Sequence, residues 1–578
     1  MKKEGASPFR RGKIFKPKWL FVAVVIAALG VRICATTSRY DEIFNLWVSA
    51  ATILGQQYLV KNPYIFQMGD LWNLPFLFVF RECTGSFDGA VLFIRICYLC
   101  LNLLLAALVW YWLKRYAAEY PVVYFVLLIP TFAFGCIYSM SYDTAYLYFS
   151  LLASILLTAS VLQTGQKRKT ADILAFFSGI SYACMVYAYP TMVLWVFSIF
   201  VAVGIWCWRQ SRQHEKKVIF RPLFWVAAGG LVVLSAFLLY LAKVGVGNTI
   251  FAQGLSGSLM KSGRPLAAAG QAQGGAAVLT VISSVAKNTW DAALFLVDWN
   301  KSLYHVALPI FLLQWFIGLK TNWRWVRLSL LVEILAAGFA AQWGKSYLDY
   351  FDSLYFYAWV FIWGPLMCCY LRSPEHRKAA SWLFCIAIIP SLVGFSAVAN
   401  TAAYHVKAAE GIYLGALASF AIFCMTLSEQ LETKKYRKAG LAVLAVCLVF
   451  FNMAAFYHNA YEGEVWGNCT YTMKSGLLKG IRVGESDAVY EQLQQTAAEL
   501  VRPEDKIVYC SMVFTGGYFW TEKLAGQLPS SQSPSSKWAD LLILTEDDAE
   551  KTAQFLEEYE LKYSENGCQI YWRMTGTS

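Results

Sequence analysis

The chain reads Trp19-Leu-Phe-Val-Ala-Val-Val-Ile-Ala-Ala-Leu-Gly-Val-Arg32-Ile-Cys-Ala35 behind a basic head, then turns to Ser38-Arg39-Tyr40-Asp41-Glu42-Ile43-Phe44-Asn45. An apolar run of that length after Lys2, Lys3, Arg10, Arg11, Lys13, Lys16 and Lys18 has the pattern of a membrane-crossing helix. No small-residue cleavage site of the usual kind precedes Arg39, so the run is expected to be a retained helix rather than a removable leader. The acidic stretch behind it then stands at a helix end, on one face of a membrane.

Outward from there the pattern repeats. The 578 residues are 58% hydrophobic and only 15% charged, with a mean hydropathy of +0.46. That balance excludes a soluble protein and indicates an α-helical polytopic membrane protein. A bilayer core takes about 20 apolar residues as helix. Windows of that size predict about 13 transmembrane helices, at 19–37, 88–113, 119–138, 143–162, 171–188, 190–208, 221–242, 303–319, 325–341, 354–371, 380–399, 411–428 and 439–457. The pair flanking Pro190 is either one kinked span or two.

Charge gives the orientation. The basic head and alternate connections carry 27 Lys and Arg on one side of these spans, and the opposite connections, leaving out the C-terminal domain, carry ten in far more residues. By the positive-inside rule the N-terminus is cytoplasmic and the C-terminus extracytoplasmic, in a plasma membrane. The net charge of +12 is therefore topological, and its dispersal among spans argues against a nucleic-acid partner. The expected organisation is a cytoplasmic basic tail over 1–18, a transmembrane domain over 19–457 with extracytoplasmic loops 38–87 and 243–302, and a small α/β domain over 458–578. In the first loop Ile43, Trp47, Ala50 and Leu54 recur at helical spacing, and a second run, Leu71 to Phe80, is interrupted by Pro75. The second loop is rich in Gly, Ala, Ser and Gln between Gln253 and Ala277 and reads as a flexible connector or a lid. In the tail, strands are expected at 506–512, 540–544 and 568–574, with helices near 488–500 and 547–559. Eleven of the fifteen cysteines fall in or beside apolar runs, where they pack as small hydrophobes, and Cys97-x-x-Cys100 has no second pair.

Several charged residues sit where charge is costly. Asp41 and Glu42 point about 100° apart on a helix, so they are not a carboxylate dyad. Each is either a helix cap or a general base. Asp143, in Tyr138-Ser-Met-Ser-Tyr-Asp-Thr-Ala-Tyr146, poses the same choice at the head of the fourth expected span, in the next outside turn. Arg95 lies well inside an apolar run, where insertion costs about 2.5–3.5 kcal/mol and a partner is expected. It either snorkels or meets an anion such as a phosphate. Lys345 with Tyr347, and Arg39 beside Asp41, are further cations and partners for such a group. No GxxxxGK[ST], HExxH or strand-borne GxGxxG is present, which argues against an ATP-driven pump and a zinc enzyme.

Asp41-Glu42-Ile-Phe, Ala50–Gly55, Asn73-Leu-Pro75-Phe-Leu-Phe, Gly85-Ser-Phe-Asp-Gly and Arg95-Ile-Cys follow one another in an order that resembles the GT-C glycosyltransferases. The likeness is to the protein O-mannosyltransferase and lipid A aminoarabinose transferase type. Asp143 with Tyr146 and Phe149 is similar to that family's second acid, and Tyr189-Pro190-Thr191 to a turn where many relatives carry Lys before the Pro. The resemblance implies a polyprenyl-phosphate-linked sugar donor, a glycan, lipid or protein acceptor, and transfer with inversion. Asp41 would be the base, with Glu42 and Asp143 beside it, and Arg95, Lys345, Tyr347 and Arg39 at the lipid phosphate. Members differ in whether they use a divalent metal, and the sequence names no ligands for one. The competing expectations are a lipid-linked glycan transporter or polymerase-like protein, and a glycan-binding scaffold.

Overall fold

The computed structural model describes residues 17–35, 42, 46, 49–50, 52–54, 65–114, 126–127, 129–130, 138–163, 167–214, 220–245, 275–299, 309, 312, 377–401, 405–415, 417–418, 466–485, 491, 495, 499, 508–510, 541–551, 553–565 and 567–574. Asp41, Arg39, Lys345 and Tyr347 lie outside them, as do, wholly or mostly, the spans expected at 119–138, 303–319, 325–341, 354–371, 411–428 and 439–457.

The first helix, α1, runs Pro17–Ile33. A 3-10 segment, Ile65–Asn73, leads into α2, Leu74–Thr84. Pro75 marks the break in this run expected from sequence, the 3-10 segment ending at Asn73 and α2 beginning at Leu74. It stands in the first turn of α2, where its missing N–H has no intrahelical acceptor to lose. The helix stops at Gly85, whose φ of 76° lets its N–H return to Arg81 O at 2.7 Å.

The long helices follow: α3 (Ala90–Leu113), α4 (Tyr142–Gln163), α5 (Arg168–Ala188), α6 (Val193–His214) and α7 (Arg221–Val244). Later come α8 (Gly275–Trp299) and α9 (Arg377–Leu383), which passes through a π-turn, Phe384–Ile388, into α10 (Ile389–Thr401). Among the described residues six helical stretches are long and apolar enough to cross a membrane. Pro190 separates two of them: α5 ends at Ala188 and a 3-10 turn, Pro190–Met192, starts α6. The Gln253–Ala277 stretch read as a flexible connector or lid lies almost wholly outside the described residues, and helix α8 occupies the later part of that loop from Gly275. It lies against α10, with Asn288 Nδ2 donating to Asn400 Oδ1 at 3.0 Å.

Helices α4, α5 and α7 pack closely because small residues let backbones meet. A Cβ added at Gly179 would land on the carbonyl oxygen of Val226, and one at Gly229 on that of Phe176. Hydroxyls stitch the same surfaces: Ser178 Oγ donates to Ala153 O at 2.8 Å, and Ser154 Oγ meets Tyr182 Oη at 3.1 Å.

The tail carries a short hairpin, β1 (Tyr471–Thr472) with β2 (Arg482–Val483), and a four-stranded sheet. The sheet contains β3 (Val508–Cys510), β4 (Leu541–Thr545), β5 (Tyr559–Glu565) and β6 (Cys568–Arg573), in the order β3-β4-β6-β5. Only β3 and β4 run parallel. Strands β3, β4 and β6 fall where the sequence puts them; β5 and the β1–β2 hairpin were not expected. The helix predicted near 547–559 is instead α11, Glu546–Lys551, followed by a 3-10 turn, Ala553–Glu558. Alternation along β4 gives the sheet two apolar faces. Leu542 and Leu544 pack with Ala549 and Tyr559, whereas Leu541 and Ile543 join a cluster containing Leu46, Leu77, Val91 and Ile94. Described residues of the tail thus share a core with the first loop and the start of α3.

Candidate active site

The ends of alternate helices meet on one side of the bundle: the C-terminus of α1, the N-termini of α3 and α4, and the Tyr189-Pro190 turn after α5. Glu42 and Arg95 are the charged centre of this region. Arg95 Nε donates to Glu42 Oε1 at 2.9 Å and Nη2 to Oε2 at 2.5 Å. Nη1 donates to the backbone oxygens of Ile33 at 2.9 Å and Ala35 at 3.3 Å. Both side chains are buried, 0% and 1% exposed. The fork of a guanidinium matches a carboxylate, so the pair is fixed in angle as well as distance.

Tyr138 closes this knot. Its N–H donates to Glu42 Oε1 at 3.3 Å, its hydroxyl accepts from Arg32 Nε at 2.7 Å, and its ring faces the guanidinium groups of both Arg32 and Arg95 at 5.2 Å. The residue expected to meet a lipid phosphate is therefore turned toward Glu42 and two carbonyls. Three elements far apart in sequence, the loop carrying Glu42, α3 and the approach to α4, are tied at one point.

Asp143 stands in the first turn of α4 and is buried. The cap of that helix is made by other groups. Ser141 Oγ accepts from Thr144 N–H at 3.1 Å, and Thr144 Oγ1 accepts from Ser141 N–H at 2.8 Å, a reciprocal capping box. Thr144 Oγ1 also donates to Ser139 O at 2.5 Å. Ser141 and Thr144 thus supply a cap to the helix on which the buried Asp143 stands.

Two further buried acids surround this turn, and sequence reasoning missed both. Asp70 sits on the 3-10 segment 65–73, which packs on α4 so closely that a Cβ at Gly69 would overlap the backbone of Tyr142. Asn73 fastens the same contact, Nδ2 donating to Met140 O at 2.6 Å and Oδ1 accepting from Met140 N–H at 3.2 Å. Glu410 lies in the 3-10 segment His405–Ile412 and accepts from Tyr146 Oη at 3.4 Å. In sequence Asp70 stands just ahead of the run Leu71 to Phe80 and Glu410 just ahead of the window 411–428, outside the apolar interior that singled out Arg95.

Aromatic rings line the surroundings. Tyr189 packs on Tyr142 and Tyr146 with centroids 6.2 and 5.3 Å away, and Trp72 on Phe149 at 4.7 Å. Tyr189 thus covers the face of α4 that carries Tyr146 and Tyr142, the neighbour of Asp143 in the chain. Among the described residues no group of three His, Cys, Asp or Glu side chains forms that would hold a metal ion.

The described residues form a helical integral membrane protein with buried acids, two buried Arg and several aromatics at one end of its helices. Three solved structures follow a partly similar course at low identity. ArnT from Cupriavidus metallidurans in the apo state is 11% identical, with a TM-score of 0.42, over 96% of this chain and 97% of that one. The same protein bound to undecaprenyl phosphate is 9% identical, with a TM-score of 0.40, over 96% and 98%. The Archaeoglobus fulgidus oligosaccharyltransferase in complex with Zn and sulfate is 10% identical, with a TM-score of 0.40, over 95% and 73%. No family model matches the chain, and no curated protein matches it.

Proposed function

We propose that the chain is a GT-C-type membrane glycosyltransferase that moves a sugar from a polyprenyl-phosphate-linked donor to an acceptor hydroxyl, with inversion, on the extracytoplasmic face. The observation that supports this reading is the buried ion pair that anchors the loop carrying Glu42 to Arg95, at the same end of the helices as the buried Asp143. Asp41, next in the chain to Glu42, takes the proton of the acceptor hydroxyl as its oxygen attacks the anomeric carbon. The bond from that carbon to the phosphate oxygen breaks with its electron pair going to the phosphate. Asp143 orients the acceptor or the base. Arg39, Lys345 and Tyr347 receive the departing lipid phosphate. Arg95, with four of its donor contacts directed at Glu42, Ile33 and Ala35, serves by holding the loop.

The test uses purified protein in liposomes with a labelled polyprenyl-phosphate sugar and a panel of lipid, glycan and peptide acceptors. A new glycosidic bond that Asp41→Asn abolishes supports the reading. Movement of the labelled lipid across the bilayer with no new bond would assign a transporter instead, and full activity in Asp41→Asn would remove the assigned base.

A further inference from the structure

The tail segment 473–483 reaches both halves of the Arg95 knot. A helix N-terminus leaves its first N–H groups without intrahelical acceptors. At α3 two of these are met from the tail: Gly89 N–H donates to Gly476 O at 2.9 Å, and Val91 N–H to Leu477 O at 3.2 Å. Arg95 follows Val91 by four residues, one turn along the same face. On the other side, Arg482 N–H donates to Cys34 O at 2.8 Å, and Arg482 pairs with Ala35 in a parallel bridge. The stretch Ile33–Ala35, whose carbonyls receive Arg95 Nη1, is therefore held between Arg95 and the tail.

The tail segment is itself stiff. Met473 N–H donates to Ile481 O at 3.0 Å and Gly480 N–H to Met473 O at 2.9 Å, the second made by a left-handed Gly480 with φ +86°. Glu491 accepts from Ser475 Oγ, Tyr471 Oη and Lys474 N–H at 2.6, 2.8 and 2.9 Å. Leu477, Leu478, Ile481 and Val483 are buried against Phe87, Ala90, Val91 and Ile94.

We propose that the 473–483 segment is a positioning element of the active site: it holds α3 and the 33–35 backbone in register, and through Arg95 sets the place of Glu42 and the adjoining Asp41. Its effect on turnover rests on the transferase reading above; its effect on the backbone does not.

The experiment compares two large-to-small variants of the full-length protein. Ile481→Ala removes apolar volume from the face that meets α3, and Leu544→Ala removes it from the opposite face of the tail sheet. Amide exchange at 33–35 and 89–95 is expected to quicken at least about tenfold in Ile481→Ala and to stay near wild type in Leu544→Ala. With labelled donor, kcat falls in Ile481→Ala while KM moves little, and Ile481→Val restores both exchange and kcat. Equal exchange at 33–35 and 89–95 in the two Ala variants would overturn the proposal. If Ile481→Ala does not fold, Gly480→Ala, whose Cβ would meet Leu92 Cδ2 at 3.0 Å, is expected to quicken the same amides while Ile481→Val stays near wild type, and equal exchange in the two would overturn the proposal. Exchange that changes as expected in a protein without transfer activity would refute the enzyme and leave the clamp standing.

Discussion

Arg95 and Glu42, 53 positions apart in the chain, are joined by a two-pronged ion pair that solvent does not reach. Removing one partner of a buried pair strands the other, which costs about 3–5 kcal/mol, whereas replacing both with apolar residues is often neutral. Glu42→Gln is accordingly expected to lower the thermal unfolding temperature in detergent sharply. Glu42→Leu combined with Arg95→Met should regain most of that stability without regaining transfer. An unchanged melt in Glu42→Gln would show that the pair anchors nothing.

Asp143 and its neighbours separate capping from chemistry. Loss of an N-cap hydroxyl costs about 0.5–2 kcal/mol, so Ser141→Ala should melt earlier and retain turnover. Asp143→Asn should melt close to wild type and lose activity by roughly 10²–10⁴-fold, the scale of general acid–base assistance. The reverse pattern would return Asp143 to a structural role.

The contact of α5 with α7 tolerates no added carbon at Gly229, because its Cβ would fall on Phe176 O. Overpacking costs about 1–3 kcal/mol or more, so Gly229→Ala should unfold at lower temperature. At Gly230 a Cβ would only touch Gly179 O at 3.7 Å, and Gly230→Ala should melt as wild type. Scanning calorimetry of the two variants in one detergent decides this.

Glu491 makes the tail sensitive to acid. Burial pushes its carboxyl up, but the hydrogen bonds from Ser475, Tyr471 and the N–H groups of Lys474 and Ser475 outweigh this and hold it below the ordinary 4.5. A carboxylate depressed in the folded state contributes stability that is fully present above about 4.5 and is lost as pH falls through the folded value. Amide protection of 473–483 should therefore fall with acid below that point. Glu491→Gln should be weaker at neutral pH and flat across the same window.

The sequence by itself determined that the chain is a helical membrane protein, where α3 to α7 run, and that Asp143 and Arg95 needed an account. These follow from local quantities: apolar length, the cost of a charge in a span, and the identity of a residue at a helix start. It also located β3, β4 and β6, whose alternation is a property of each strand alone. Only the tertiary structure paired Arg95 with Glu42, gave the cap of α4 to Ser141 and Thr144, and brought Asp70 and Glu410 to the same turn. It alone joined the tail to α3, because Leu477 and Ile481 look like any tail core residues until Val91 and Ile94 are seen against them. Helix α8 was missed because Lys287, Asn288 and Asp291 break its apolar run, and its place is set by contacts with α10 such as that of Asn288 with Asn400. Partner choice across such distances depends on geometry that no local window contains.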